Sequence, residues 1–217
     1  MGLGEAGDLN DHRTAKNSKQ HGNIGVKFMY FTQNEESKKS SALLLIDMQK
    51  GFSDPIWGVR NNLNAEHQAQ KLLRFFRQFS GTVIHIQHLS STFGSPLYPG
   101  QAGVEFMDEV RPELGERVFQ KSVNSAFIGT NLAWFLNENG IEELIMMGFT
   151  TDHCVSTSAR MARNLGFKVA VVSDATVAFE RHDNTTTYSA DLVHAVNLSS
   201  LRGEFAEIIS SSSILGS

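Results

Sequence analysis

With 217 residues, 41% of them hydrophobic, the chain holds enough apolar side chain for one domain of ordinary size with a sizeable core. A formal net charge of −4 and the lack of any Lys/Arg-rich block argue against nucleic acid or a membrane surface as partner, and no run approaches the roughly 18 apolar residues of a membrane span. One cysteine, Cys154, excludes an internal disulfide, matches no zinc-ligand spacing and points to a reducing compartment, by default the cytoplasm.

Residues 1–40 are polar and mixed in charge, and read as a flexible extension interrupted by an aromatic patch, Phe28-Met-Tyr-Phe31. The continuous apolar run Ala42–Ile46 predicts a buried strand, and it ends in Asp47. A carboxylate directly after a core strand is costly unless it is paired. Residues 51–62 form an irregular loop carrying Trp57, and Ala69, Leu72, Leu73, Phe76 and Phe79 then mark one face of a helix over 65–79. Residues 81–88 read as the next strand; His85 and His88 fall on opposite faces of it and cannot easily share a metal. The loop over 90–103, with Pro96 and Pro99, is long enough to act as a lid. Arg117–Lys121 is a short strand ending in a lysine, and Thr130 caps a helix with Leu132, Phe135 and Leu136 on its face, closed by Gly140.

The run Leu144–Met147 is too short for a helix and stops at Gly148, so it reads as another buried strand. A polar turn, Gly148-Phe-Thr-Thr-Asp152, leads to Cys154, after which Val155, Ala159 and Ala162 recur at helical spacing as far as Gly166. Cys154 therefore stands at or near a helix N-terminus, where unpaired N–H groups and the helix dipole are expected to lower a thiol pKa. A strand over 167–173, a helix marked by Leu192, Val193 and Val196, and a strand over 205–209 complete the chain. Strands alternate with helices throughout. The expected fold is a single-domain, three-layer α/β/α architecture with a mostly parallel six-stranded sheet. Ligands of such sheets bind beyond the carboxyl ends of the strands, and Asp47, Lys121 and Cys154 all lie at that edge. A carboxylate, an ammonium and a thiol are a proton carrier, a fixed positive charge and a nucleophile.

Three stretches, Leu44-Leu-Ile-Asp-Met-Gln49, Lys121-Ser-Val-Asn-Ser-Ala-Phe127 and Gly148-Phe-Thr-Thr-Asp-His-Cys-Val-Ser-Thr-Ser-Ala159, resemble the signature stretches of the isochorismatase-like cysteine hydrolases. The resemblance runs from about residue 41 to the end. It implies an Asp47–Lys121–Cys154 catalytic triad, a non-proline cis peptide at Phe149–Thr150 and an oxyanion hole from the backbone N–H groups of Thr150 and Cys154. It also implies cleavage of a C–N bond in a small amide, ureide or lactam through a thioester, because relatives that cleave a vinyl ether lack the cysteine. Members acting on nicotinamide carry an Asp-x-His…His metal site soon after the first stretch. Residues 51–66 contain no histidine, which argues against that metal and, with it, against nicotinamide as substrate; hydrolysis needs no organic cofactor, and none is expected. Relatives are homo-oligomers, dimers or tetramers, and the same state is expected here.

Trp57, Asn124, Phe127 and His153 are candidates for the substrate pocket by position, Trp57 and Phe127 being equally suited to the core. His153 adjoins the nucleophile, but neighbours at a helix start diverge by about 100°, which favours Asp47 as the base. A member of the same scaffold that binds a small molecule or partner without turnover is the alternative. A dinucleotide-binding enzyme is disfavoured, since no G-x-G-x-x-G follows the first strand.

Overall fold

The computed structural model describes Met1 and residues 40–216, so the expected N-terminal extension and its Phe28–Phe31 patch lie outside the described residues, Met1 and Ser40 apart. Strands β1 (Ser41–Ile46), β2 (Thr82–His88), β3 (Arg117–Lys121), β4 (Glu143–Phe149), β5 (Lys168–Val177) and β8 (Glu207–Ile209) form one sheet in the order β3-β2-β1-β4-β5-β8. Every pairing in it is parallel. A small antiparallel pair, β6 (Arg181–His182) with β7 (Thr187–Tyr188), stands apart from it.

Both faces of the sheet are covered, which is why β1 is an unbroken apolar run rather than an alternating one. Leu43, Leu45, Ile145, Met147, Ala170 and Val172 point to one side, where they meet Ala69, Leu72, Leu73 and Phe76 of α1 (Ala65–Gln78) and Ile214 of α5 (Ser211–Leu215). Leu44, Ile46, Ile84, Ile86, Leu144 and Met146 point to the other, against α2 (Leu132–Glu138), α3 (Ser156–Asn164) and α4 (Ala190–Leu201). The result is three layers around a six-stranded parallel sheet, as the alternation of elements required.

Local differences from expectation have local causes. Phe79 follows the end of α1 and is exposed, so the buried stripe stops at Phe76. Thr130 does accept from the Leu132 N–H at 3.4 Å, but Asn131 occupies the cap position, and the Thr130 hydroxyl itself donates to the Ala126 carbonyl. On α4 the buried face is Ala190, Val193, Leu198 and Leu201, while Leu192 and Val196 are exposed. β5 runs past Ser173 to Val177 because a register shift lets Thr176 and Val177 pair with Gly148 and Phe149. Asp174, inside that extension, is held by the backbone N–H and hydroxyl of Ser211.

The chain reverses its direction of travel across the sheet between β1 and β4. β1 leads outward to β2 and β3, and β4 starts again on the other side of β1. A crevice at the carboxyl edge is expected at this switch point. Asp47 follows β1 there, and the Thr151–Val155 turn follows β4.

Candidate active site

Asp47 leaves β1 with φ +53°, a conformation that non-glycine residues seldom adopt, and its N–H still bonds the Ile86 carbonyl of β2 at 3.0 Å. Its carboxylate is wholly buried. Lys121, the last residue of β3, is wholly buried as well, and its Nζ lies 2.6 Å from Asp47 Oδ2. The same ammonium donates to Cys154 Sγ at 3.3 Å and to His88 Nδ1 at 3.0 Å. Three N–H donors thus meet a carboxylate, a thiol sulfur and an imidazole nitrogen.

Cys154 sits within a π-type turn, Thr151–Val155, that runs into α3. Gly148 makes the approach to that turn possible. It has φ +124°, and a Cβ there would lie 2.0 Å from the Ile46 carbonyl oxygen, so only glycine lets β4 pass this close to β1. The Phe149–Thr150 peptide is cis. Thr150 is buried, and its carbonyl accepts from the N–H groups of His153 and Val155 at 3.2 and 3.1 Å. The turn is tied down from outside: Thr151 Oγ1 lies 2.8 Å from His194 Nδ1 on α4, and Arg181 of β6 binds Asp152 Oδ2 at 2.7 Å.

Burial sets the protonation of the site. It raises the Asp47 pKa above the ordinary carboxylate value, against the opposing pull of Lys121. Burial also raises the Cys154 thiol well above its usual value, and the Asp47 charge adds to the rise against the opposition of Lys121. The expected low thiol pKa is therefore corrected: the cost of desolvating a thiolate, with an anion beside it, outweighs the pull of Lys121. His88 is lowered to about 4, first by burial and then by the adjacent Lys121 charge, and is neutral near pH 7. Asp47 Oδ1 is buried without a hydrogen bond among the described residues, and Asp47, His88 and Cys154 ligand atoms lie within 4.8 Å of one another. Those three groups could serve a metal ion by chemistry alone, but all of them already contact the Lys121 ammonium.

Of the pocket candidates, Asn124 is exposed and its Oδ1 lies 3.8 Å from Cys154 Sγ, close enough to meet anything attached to the sulfur. The loop that carries it is fixed by the Ala126 N–H donating to Ser158 Oγ of α3 at 3.0 Å. Phe127, equally suited to the core on sequence grounds, is buried and stacks on Phe167 at 6.1 Å. Trp57 is half-buried: it donates from Nε1 to the Gly51 carbonyl, and its ring is tilted against Phe52 and Phe179, with Phe52 in turn stacked on Phe149. His153 is exposed and turns to Asp152, 3.6 Å away, rather than to the thiol. The 90–103 loop is packed down: Leu97 is buried, and a Cβ on Gly103 would meet the Pro96 carbonyl oxygen at 2.2 Å.

Three residues of the site escaped sequence reasoning. His88 appeared as an isolated imidazole, and His194 and Arg181 lie far along the chain from the residues they hold. Only Gln49 carried a usable signal, as part of the first stretch. Its side chain donates to the His88 carbonyl and accepts from the His88 N–H, at 3.0 and 2.7 Å.

A buried thiol, carboxylate and ammonium at the switch point of a parallel sheet define a cysteine-hydrolase type of site on a three-layer α/β fold. Residues 41–213 match the isochorismatase domain, and the chain belongs to the isochorismatase family of hydrolases. It is 44% identical over 181 residues to the isochorismatase family protein YrdC of Bacillus subtilis, a match spanning 83% of this chain and 96% of that protein. With the maleamate amidohydrolase of Pseudomonas putida it shares 26% identity over 190 residues, covering 79% of this chain and 83% of the other. A solved isochorismatase-family hydrolase from Chromobacterium violaceum superposes with a TM-score of 0.79 at 42% identity, over 82% of this chain and 93% of that one.

Proposed function

We propose that this protein is a cysteine amidohydrolase that cleaves the C–N bond of a small amide, ureide or lactam through a thioester. The observation that carries the reading is the Lys121 ammonium bonded at once to Asp47 and to Cys154. Relatives named maleamate amidohydrolase, streptothricin hydrolase and nicotinamidase support C–N cleavage as the reaction class.

Because the resting thiol is protonated, attack must be coupled to proton removal. Asp47 takes the S–H proton as the sulfur bonds to the substrate carbonyl carbon, and the backbone N–H groups of Thr150 and Cys154 are the donors proposed for the developing oxyanion. Asp47 then gives its proton to the nitrogen as the C–N bond breaks, leaving a thioester. A water loses a proton to Asp47 while its oxygen adds to the same carbon; the C–S bond breaks, and that proton returns to sulfur. Raised by burial, Asp47 is matched to this role, since a carboxylate of ordinary acidity would be a poor acceptor of a thiol proton. Lys121 provides the positive charge that favours thiolate over thiol during transfer. Asn124, beside the sulfur, is the residue proposed to contact substrate.

No helix among the described residues is long and apolar enough to cross a membrane. A reducing, cytoplasmic setting and a homo-oligomeric state, dimer or tetramer, complete the proposal. The test is ammonia or amine release from a panel of small amides, ureides and lactams. Turnover of at least one compound that disappears in Cys154→Ala supports the reading; turnover that persists in Cys154→Ala overturns it.

A further inference from the structure

The sheet topology poses a problem that the Asp47–Lys121–Cys154 trio does not solve by itself. Lys121 ends β3 and Asp47 follows β1, and β2 lies between those strands. With neighbouring strands about 4.8 Å apart, the lysine side chain has to cross the carboxyl end of β2 to reach its partner. The residue at that end is His88, which pairs in register with Lys121 itself. Its backbone is clamped on both sides by the buried Gln49 amide, and its Nδ1 takes the third N–H of the ammonium at 3.0 Å.

The three acceptors around Lys121 do not behave alike during turnover, on the reading proposed above, on which this inference rests. At each tetrahedral intermediate Asp47 carries a proton and the sulfur is bonded to carbon, so the carboxylate and the thiol weaken together as acceptors. The imidazole is unchanged. We propose that His88 is a positioning residue, a permanent acceptor that keeps the Lys121 ammonium over the reacting sulfur while Asp47 and Cys154 alternate between their states. The role requires a neutral ring with Nδ1 unprotonated and the proton on Nε2. Desolvation and the neighbouring ammonium both favour the neutral form.

The test uses 4-nitrophenyl acetate, a small ester able to acylate the thiol, with 4-nitrophenolate release followed from the first turnover into the steady state. Wild type, Cys154→Ala, His88→Leu and His88→Asn are compared. Leucine fills the space without an acceptor, whereas asparagine places an amide oxygen close to the position of Nδ1. A hydrogen bond to a charged group that matters at the transition state is worth roughly tenfold to a hundredfold in rate. The expected result is a loss of that size in both the burst and the steady-state rates of His88→Leu, with burst amplitude and KM kept, and recovery to within about threefold in His88→Asn. Unchanged rates in His88→Leu overturn the inference. So does an equal loss in both variants with a raised KM or a reduced amplitude, which marks a purely structural role. 4-Nitrophenolate release that persists unchanged in Cys154→Ala instead defeats the amidohydrolase reading, and this inference falls with it.

Discussion

Replacing Lys121 by methionine keeps most of the side-chain volume but removes the only cation that touches Asp47 among the described residues. Both side chains are fully buried and 2.6 Å apart, so the variant must either bury an unpaired carboxylate or protonate it. The first course costs about 3–5 kcal/mol. The second is open because burial already raises Asp47, and loss of Lys121 removes the largest opposing influence. A carboxyl whose folded pKa lies above its unfolded value of about 3.9 binds more protons folded than unfolded, so its contribution to stability falls as pH rises toward the folded value. Wild type and variant share this direction, but the variant's folded value is the higher. Between the two folded values the stability difference therefore grows by about 1.4 kcal/mol per pH unit, up to the cost of the unpaired carboxylate. Urea unfolding followed by circular dichroism from about pH 5 to pH 9 measures it, and groups remote from the site cancel between the two proteins. A difference that stays constant across that range would refute the coupling of Asp47 ionisation to Lys121.

Gly148→Ala is expected to destabilise by about 3 kcal/mol or more, because the new Cβ would lie 2.0 Å from the Ile46 carbonyl oxygen at φ +124°. For a chain of this size that is a fall in Tm of roughly 6–12 °C, and a shift under about 2 °C would contradict the close approach. Cys154 is expected to react slowly with iodoacetamide at neutral pH and faster as pH rises, since burial and Asp47 both favour the protonated thiol. Asp47→Asn removes the carboxylate that takes the S–H proton as the sulfur attacks, so alkylation at fixed neutral pH should slow further; a faster reaction would show that the carboxylate only opposes ionisation of the thiol.

Much of this protein was legible in the sequence because its strands are buried on both faces. A run such as Ala42–Ile46 can satisfy two apolar surfaces only inside a parallel sheet, and the polar residues that end such runs, Asp47 and Lys121, are then conspicuous. Boundaries were less legible. β5 extends to Val177 through a register shift against Gly148, a pairing between strands that no local pattern encodes.

Chemistry divides the same way. Residue types and order along the chain suffice to nominate a carboxylate, an ammonium and a thiol, and to place each at a strand end or helix start. What they cannot supply is the dielectric around those groups. Helix position alone pointed to an acidic thiol, whereas the folded chain buries Cys154 beside an anion and makes it a weak acid. Nor can they supply partners contributed across the sheet. His88 reads as a lone imidazole until β2 is seen to lie between the strands that carry Asp47 and Lys121. The sequence by itself determined which side chains were available and which strands would carry them to the same edge, because periodicity and punctuation are local. Only the tertiary structure decided how they ionise and what holds them, because desolvation and hydrogen bonding depend on everything packed around a group.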